Sequence, residues 1–354
     1  MIKIITDTSG FKALEEDWNS LYERSVLRTP FQSFSYNYLS WTEFMKEKGV
    51  LYIITVRRPN TNELEAIFPC LIERGVLLFI NDRHTDFCTA IIDERIGRGD
   101  HRLYEEVAKY LQGDSRVKFV RFDNVMAEDM LLAGFKPFFK TQYCYEINAY
   151  SKLDIYQRDG DKTCFDAIRN VNAQRRKKLA AQLKRAGELQ LSVSEKKGGD
   201  IYPEEAIINM VEAMIKEGTR ERGYFSEPML KEWKCLYEAG VLSVAILRQE
   251  EIVKSINFII RDNLCKDYIK WLMLYIDKRY NLLLSLKLIE YLYEKGATIN
   301  FARGIYDYKM VNFHPDVYNL YRLEIDKSTW TAVKGLAAMN WHYLKMIIKS
   351  IIRK

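Results

Sequence analysis

Tyr268-Ile269-Lys270-Trp271-Leu272-Met273-Leu274-Tyr275-Ile276, then Asp277-Lys278-Arg279-Tyr280-Asn281, then Leu282-Leu283-Leu284, is the stretch on which the fold turns. Its first nine residues are mostly apolar and aromatic, the composition of a buried strand. Apolar residues at helical spacing follow from Leu282 to Lys295, so the five polar residues between read as the turn that joins a strand to a helix. A helix beginning there has unpaired backbone N–H groups and about half a positive charge at its N-terminus. With Lys278 and Arg279 beside it, that end suits a pyrophosphate, and a purely structural turn is the alternative.

Outward from this stretch the same order of elements occurs twice. In the first half a helix runs through Phe11–Arg24 and a second carries Tyr36, Leu39, Trp41, Phe44 and Met45. Strands are expected at Leu51–Val56, Ala66–Ile72 and Val76–Ile80, then a helix at Tyr104–Leu111 and strands at Val117–Phe122 and Gln142–Ile147. Residues 151–163 are polar and irregular and mark a boundary. The second half has helices near Phe165–Ala186, Pro203–Glu217 and Pro228–Glu238, and strands at Leu242–Arg248, Ile252–Arg261 and Asp267–Ile276. The helix Leu282–Lys295, the strand Thr298–Phe301 and a closing strand Leu320–Ile325 complete it. This organisation predicts domains at 1–150 and 151–329, with a basic amphipathic helix over 330–354. That helix, carrying Leu336, Met339, Tyr343, Met346, Ile347 and Ile351, either docks on the body or lies on an anionic membrane surface or a partner.

The 354 residues are 48% hydrophobic and 29% charged, which excludes wholesale disorder. The net charge of +6 is too balanced for a tail-driven nucleic-acid binder. No apolar run reaches membrane-spanning length, and the start, Met1-Ile2-Lys3-Ile4-Ile5-Thr6-Asp7, does not resemble a signal peptide. The six cysteines lie far apart without a Cys-x-x-Cys pair, as expected for reduced thiols of a metal-free cytosolic protein. The basic excess is concentrated. Arg169, Arg175, Arg176, Lys177, Lys178, Lys184 and Arg185 share one helical stretch with no acidic residue, either as a solvated face or as a guide for a polyanionic ligand.

Asn300-Phe301-Ala302-Arg303-Gly304-Ile305-Tyr306-Asp307-Tyr308-Lys309 follows the next strand, with Gly304 placed for a sharp turn. It puts Arg303, Tyr308 and Lys309 beside the strand ends. His84, Asp86 and Cys88 cluster in the first half, where a turn histidine and a buried thiol are the expected readings. Gly97-Arg98-Gly99-Asp100 reads as an ordinary turn or a phosphate loop.

From Trp18…Leu21 through Pro30-Phe31-Gln32-Ser33, Thr85-Asp86-Phe87, Arg175–Leu179, Ile252–Phe258 and Tyr275–Tyr280 to Ala302-Arg303-Gly304 with Tyr308-Lys309, the chain resembles the GNAT-fold acyltransferases of the BioF2-like and CelD-like type, distant relatives of the Fem ligases. The resemblance implies an α/β fold of two tandem GNAT-like (acyl-CoA N-acyltransferase) domains, with mixed sheets flanked by helices. It also implies transfer of an acyl group from an acyl-CoA thioester to an amine or hydroxyl acceptor, in cell-envelope or polysaccharide biosynthesis. By the same resemblance Leu274, Ile276, Lys278, Arg279, Asn281 and Leu282 bind the donor. Tyr308, Arg303 and Lys309 are the catalytic candidates, with Tyr308 as the acid, and Asp86, Trp41 and Trp271 meet the acceptor. Relatives carry a Gly just before the helix where this chain has Asn281-Leu282-Leu283, and without Gly a close approach of backbone to phosphate is harder. Two alternatives stand beside this reading: a Fem-like ligase drawing on aminoacyl-tRNA, and a non-catalytic binding protein on the same fold.

Overall fold

The structure, a computed structural model, describes residues 1–82, 85–96, 101–139, 141–326, 337 and 339–345. In chain order the first half holds β1 (Ile2–Ile5), α1 (Thr8–Ala13), α2 (Glu15–Glu23), α3 (Phe34–Leu39), β2 (Val50–Arg57), β3 (Leu64–Glu73), β4 (Val76–Phe79), β5 (Ile91–Ile92), α4 (Arg102–Gly113), β6 (Phe119–Met126), α5 (Leu131–Gly134) and β7 (Thr141–Ile155). The second half holds α6 (Ala173–Arg185), β8 (Gln190–Glu195), α7 (Glu204–Lys216), α8 (Glu227–Glu238), β9 (Leu242–Gln249), β10 (Ile252–Ile260), β11 (Asp267–Tyr275), α9 (Lys278–Lys295), β12 (Ala297–Arg303), α10 (Asp307–Phe313) and β13 (Asp316–Asp326).

The chain divides into two units, one formed by Met1–Asn148 with the return from Asn319 onward, the other by Ala149–Tyr318. In the first unit the strand order is β1-β2-β3-β4-β6-β13, antiparallel up to β4 and parallel between β4 and β6. In the second it is β8-β9-β10-β11-β12-β7, antiparallel up to β11 and parallel between β11 and β12. Each unit thus joins its fourth and fifth ladder strands through a helix, α4 or α9, because parallel neighbours need a crossover. The repeat anticipated from element order is therefore also a repeat of strand pairing.

The last strand of each half completes the other unit's sheet. Ala149–Ile155 of β7 belongs to the second unit and pairs with β12, while Leu320–Asp326 of β13 pairs with β6 in the first. The first unit is consequently discontinuous in sequence, unlike the contiguous segments 1–150 and 151–329 expected from composition. A polar stretch looked like a linker at 151, but Ser151, Leu153 and Ile155 alternate inward as strand. Two edge strands, β1 and β8, were not anticipated. Both are short, and β8 (Gln-Leu-Ser-Val-Ser-Glu) is too polar to stand out.

In the first unit, Leu103, Tyr104, Val107, Ala108 and Leu111 recur at helical spacing and bury α4 on one face of the sheet with Tyr52, Ile54 and Phe68. The other face carries Phe11, Trp18, Leu21, Phe34 and Trp41 against Ile53 and Ile67. In the second unit α6 and α9 share one apolar core with the sheet through Leu179, Leu183, Leu284, Leu288 and Ile289. On α8, Trp233 meets Phe258 of β10 with ring centroids 4.5 Å apart. No helix among the described residues is long and apolar enough to cross a membrane. The expected C-terminal helix lies mostly outside the described residues.

Buried carboxylates in the first unit are clamped by arginines. Asp93 accepts from Arg24 Nε at 2.7 Å and from Arg95 Nη2 at 2.6 Å, and Glu65 accepts from Arg58 at 3.1 Å and Arg102 at 3.0 Å. Burial pushes the Asp93 carboxyl up, but the hydrogen bonds from Arg95 and Arg24 outweigh it and hold the group well below its ordinary value of 3.8. Its contribution is therefore fully present above that value and is lost as pH falls below it. Asp93→Ala is expected to destabilise the protein by about 2 kcal/mol at pH 7, from lost charge-assisted bonds, with the difference from wild type shrinking on acidification. Chemical denaturation at pH 7 and pH 3 measures both.

Candidate functional site

The feature that opens the second unit is the early end of the β11–β12 ladder. The two strands pair only at Asp267↔Thr298, Tyr268↔Ile299 and Ile269↔Asn300, although β11 continues to Tyr275. The cause lies in β12. Ala302 has a φ of +59°, and the Asn300 side chain turns back to accept from the Ala302 N–H at 2.9 Å. The register of β12 against β7 shifts there and resumes at Arg303↔Tyr150. A bulge of this kind bends its strand. Gly304, at φ +94°, then turns the chain where a Cβ would come within 2.6 Å of the Tyr306 ring. The result is a gap between the β11 edge from Lys270 to Tyr275 and the β12–α10 corner. An unpaired strand edge offers backbone donors and acceptors to an extended, amide-bearing ligand.

Side chains from four elements face this corner. Lys270 of β11 is 4% exposed, and its only hydrogen-bond partner among the described residues is Ser285 Oγ of α9, at 2.5 Å. Its ammonium lies 5.9 Å from the Phe301 ring of β12. Burial and the neighbouring Lys309 charge lower its pKa to about 7, so about half of the amine is uncharged in neutral solution. Ser285 in turn donates to the Asn281 carbonyl at 2.9 Å. Tyr308 of α10 is pushed up to about 12 by burial and by Tyr275, against a hydrogen bond with the Asn281 side chain. It therefore remains a protonated phenol at any working pH. A partly uncharged amine on β11 and a protonated phenol on α10 thus belong to the two elements that border the gap.

The expected donor-binding residues divide. The residues read as a turn from Lys278 to Asn281 are the first turn of α9, which starts four residues earlier than its apolar pattern suggested. Asp277 is its N-cap: its carboxylate accepts from the Arg279 N–H at 2.8 Å and pairs with the Arg279 guanidinium. The end of α9 is thus capped by a carboxylate, and its anion-attracting groups are the cations around it. Arg279, Tyr280 and Leu282 line an open groove of about 400 Å³ together with Gln182 and Arg185 of α6 and Gln249 of β9. Gln249 ties the groove together, donating to the Ala186 carbonyl at 2.9 Å and accepting from Tyr280 Oη at 2.9 Å. Lys278 and Ile276 are exposed, whereas Leu274 is fully buried in the sheet.

The other expected residues fall as follows. Arg303 is half-buried at the end of β12. Lys309 is buried, and its ammonium donates to the carbonyls of Phe301 at 2.5 Å and Gly304 at 2.9 Å, which makes it a brace for the corner. Trp271 is half-buried on β11. In the first unit Trp41 is a core residue whose Nε1 donates to Thr8 Oγ1 at 3.1 Å, and Asp86 is buried in the loop before β5. His84 and Gly97–Asp100 lie outside the described residues. Lys270 and Ser285 were missed because their strand and helix read as continuous apolar runs. The signal available was a lysine in the middle of a nine-residue buried strand.

No family model and no curated protein sequence matches the chain. Solved structures do. It is similar to the C-terminal DUF2156 domain of a protein assigned as a lysylphosphatidylglycerol synthetase from Agrobacterium fabrum, with TM-score 0.57 and 12% identity over 94% of this chain and 95% of that one. It is also similar to L-PGS from Bacillus licheniformis (TM-score 0.55, 13% identity, 90% and 94% covered). A tandem GNAT protein from the clavulanic acid biosynthesis pathway gives TM-score 0.51 at 9% identity, with 93% and 99% covered. The fold is accordingly two GNAT-like domains with mixed sheets flanked by helices.

A lysine whose folded pKa is lowered opposes folding at every pH at which the unfolded chain holds its proton there. The penalty is full below the folded value and fades as pH rises toward the ordinary value of 10.5. Wild-type stability is therefore expected to climb between pH 7 and pH 10 with a contribution of up to about 1.4 kcal/mol per pH unit. In Lys270→Met this rise should flatten, with stability at pH 7 equal to or above wild type. Urea titrations across that range check it.

Proposed function

We propose that the protein is an acyltransferase that moves an acyl group from an acyl-CoA-type thioester to an amine or hydroxyl acceptor. The observation that carries this reading is the opening between β11 and β12, which exposes an edge of the strand that leads into α9, together with a basic groove lined by the first turn of α9. An amide-bearing thioester arm would lie along that edge, with its phosphates toward Arg185 and Arg279. Lys278 would add charge at the same end.

In this scheme the acceptor amine or hydroxyl attacks the thioester carbonyl, forming the new C–N or C–O bond. The uncharged Lys270 amine takes the proton lost by the acceptor. Collapse breaks the C–S bond, and the Tyr308 phenol donates its proton to the departing thiolate. Arg303 neutralises an anionic group of a substrate, and Lys309 holds the corner in shape. Trp271 of the same unit remains our candidate for the acceptor side, and a cell-envelope or polysaccharide precursor our candidate acceptor.

A second reading, aminoacyl transfer from charged tRNA, is favoured by the basic face of α6 and by the fold likeness to proteins named for lysylphosphatidylglycerol synthesis. Calorimetry separates the two. Acetyl-CoA or a longer acyl-CoA is expected to bind, and Lys278→Ala with Arg279→Ala to weaken that binding at least tenfold. Absence of binding to any acyl-CoA, with retained affinity for tRNA, would transfer the assignment to the second reading.

A further inference from the structure

The first unit contains a small cavity of about 150 Å³ behind the turn that follows β6. Exposed Val26 and Glu128 stand on its wall, so it opens to solvent. Leu27, Ala90 and Met130 supply apolar surface, and Asp129 supplies a carboxyl group that is 95% buried, being 5% exposed. One oxygen of that group is used in the fold, since Oδ1 accepts from the Leu131 N–H at 2.9 Å at the start of α5. The other, Oδ2, has no hydrogen-bond partner among the described residues.

No cation among the described residues balances this group. Burial pushes the Asp129 carboxyl up to about 7, Glu128 pushes in the same direction, and only the Thr89 hydroxyl and the Leu131 N–H oppose them. Neither a lysine nor an arginine is among the groups that act on it. The Ser25 hydroxyl already donates to the Leu27 carbonyl at 3.1 Å, which leaves its oxygen able to accept, while the Thr89 hydroxyl has both the Ala90 carbonyl, at 3.1 Å, and the Asp129 carboxyl as acceptors for its one proton. The lining therefore includes two carboxyl-bearing residues and two hydroxyl residues beside apolar surface, with room for about five waters at ~30 Å³ each. An isolated buried carboxylate is costly, and a cation that brings its own donors removes that cost. Among the described residues no group of three or more His, Cys, Asp or Glu side chains could hold a metal ion. A primary ammonium on a short alkyl chain matches both halves of the lining: three N–H donors for the acceptors, methylenes for the wall.

We propose that this cavity is a binding site for a small primary ammonium compound, with Asp129 Oδ2 and Glu128 as its counter-charges. The site belongs to the first unit, stands apart from the β11–β12 gap, and does not depend on the acyltransferase reading.

The test uses the full chain and defined fragments, with n-propylammonium against n-propanol, which has the same length and no charge. Ligand-observed NMR titration at neutral pH is expected to show the amine binding at least tenfold tighter than the alcohol. Asp129→Asn should weaken the amine at least tenfold and Glu128→Gln severalfold, leaving propanol unchanged. Ala90→Leu, which fills the cavity, should abolish amine binding. Equal affinity for amine and alcohol, no amine binding, or amine binding that survives Ala90→Leu each overturns the proposal. Should Asp129→Asn unfold the protein, exposed Glu128→Gln and the cavity-filling variant still decide it.

Discussion

Everything about the second unit depends on a local backbone constraint: β12 cannot follow β11 beyond Asn300. The positive φ at Ala302 and the Asn300 side chain that closes over it bend the strand away, while β7 pairs with its other edge on both sides of the bulge. A parallel pair that stays paired would leave no edge to occupy. Because the pair parts after Ile269, one side of β11 faces a gap while its other side pairs with β10 from Ile269 to Tyr275, interrupted by a bulge at Trp271. Rigid support on one side and an open edge on the other is what a site that works by positioning requires.

The electrostatics of the corner follow from this opening. Lys270 would be solvated or paired in most sheets. Here it is enclosed by α9 and the β12 corner, next to Lys309, whose own charge is absorbed by backbone carbonyls. Two neighbouring cationic side chains favour loss of a proton from the less well hydrogen-bonded one. The strain of burying an amine is the sort of local cost that folded proteins retain where chemistry needs it. At the start of α9 the balance runs the other way, since Asp277 satisfies the helix end itself and leaves the arginines of α6 and α9 to define the groove.

The exchange of terminal strands ties the two halves into one topology. Each half repeats the sequence helices, antiparallel strands, crossover helix and parallel strand, then sends its last strand into the sheet of the other unit. Neither half of the chain, cut at the sequence midpoint, contains the complete sheet of either unit. Domain boundaries drawn from polar stretches miss this, because polarity reports solvent exposure and says nothing about which sheet a strand joins.

What the sequence determined by itself was the order and type of elements. Strands such as Leu242–Gln249 and helices such as Arg102–Gly113 announce themselves through period and apolar content, and the strand–helix join at Asp277 was legible to within one turn. The resemblance carried by residues scattered from Trp18 to Lys309 reached the correct fold. Tertiary structure alone decided the rest. Lys309 was legible as a charged residue near the strand ends, but its use as a brace depends on three-dimensional proximity to carbonyls five to eight residues away. Trp41 looked like a contact residue and is core, since an aromatic stripe has the same spacing in both cases. Lys270 gained its properties from enclosure, and Asp129 from a cavity assembled by segments around residues 25, 90 and 129. Periodicity encodes which face of an element is apolar, whereas desolvation, pKa and unmet hydrogen bonds arise only when distant segments pack around a group.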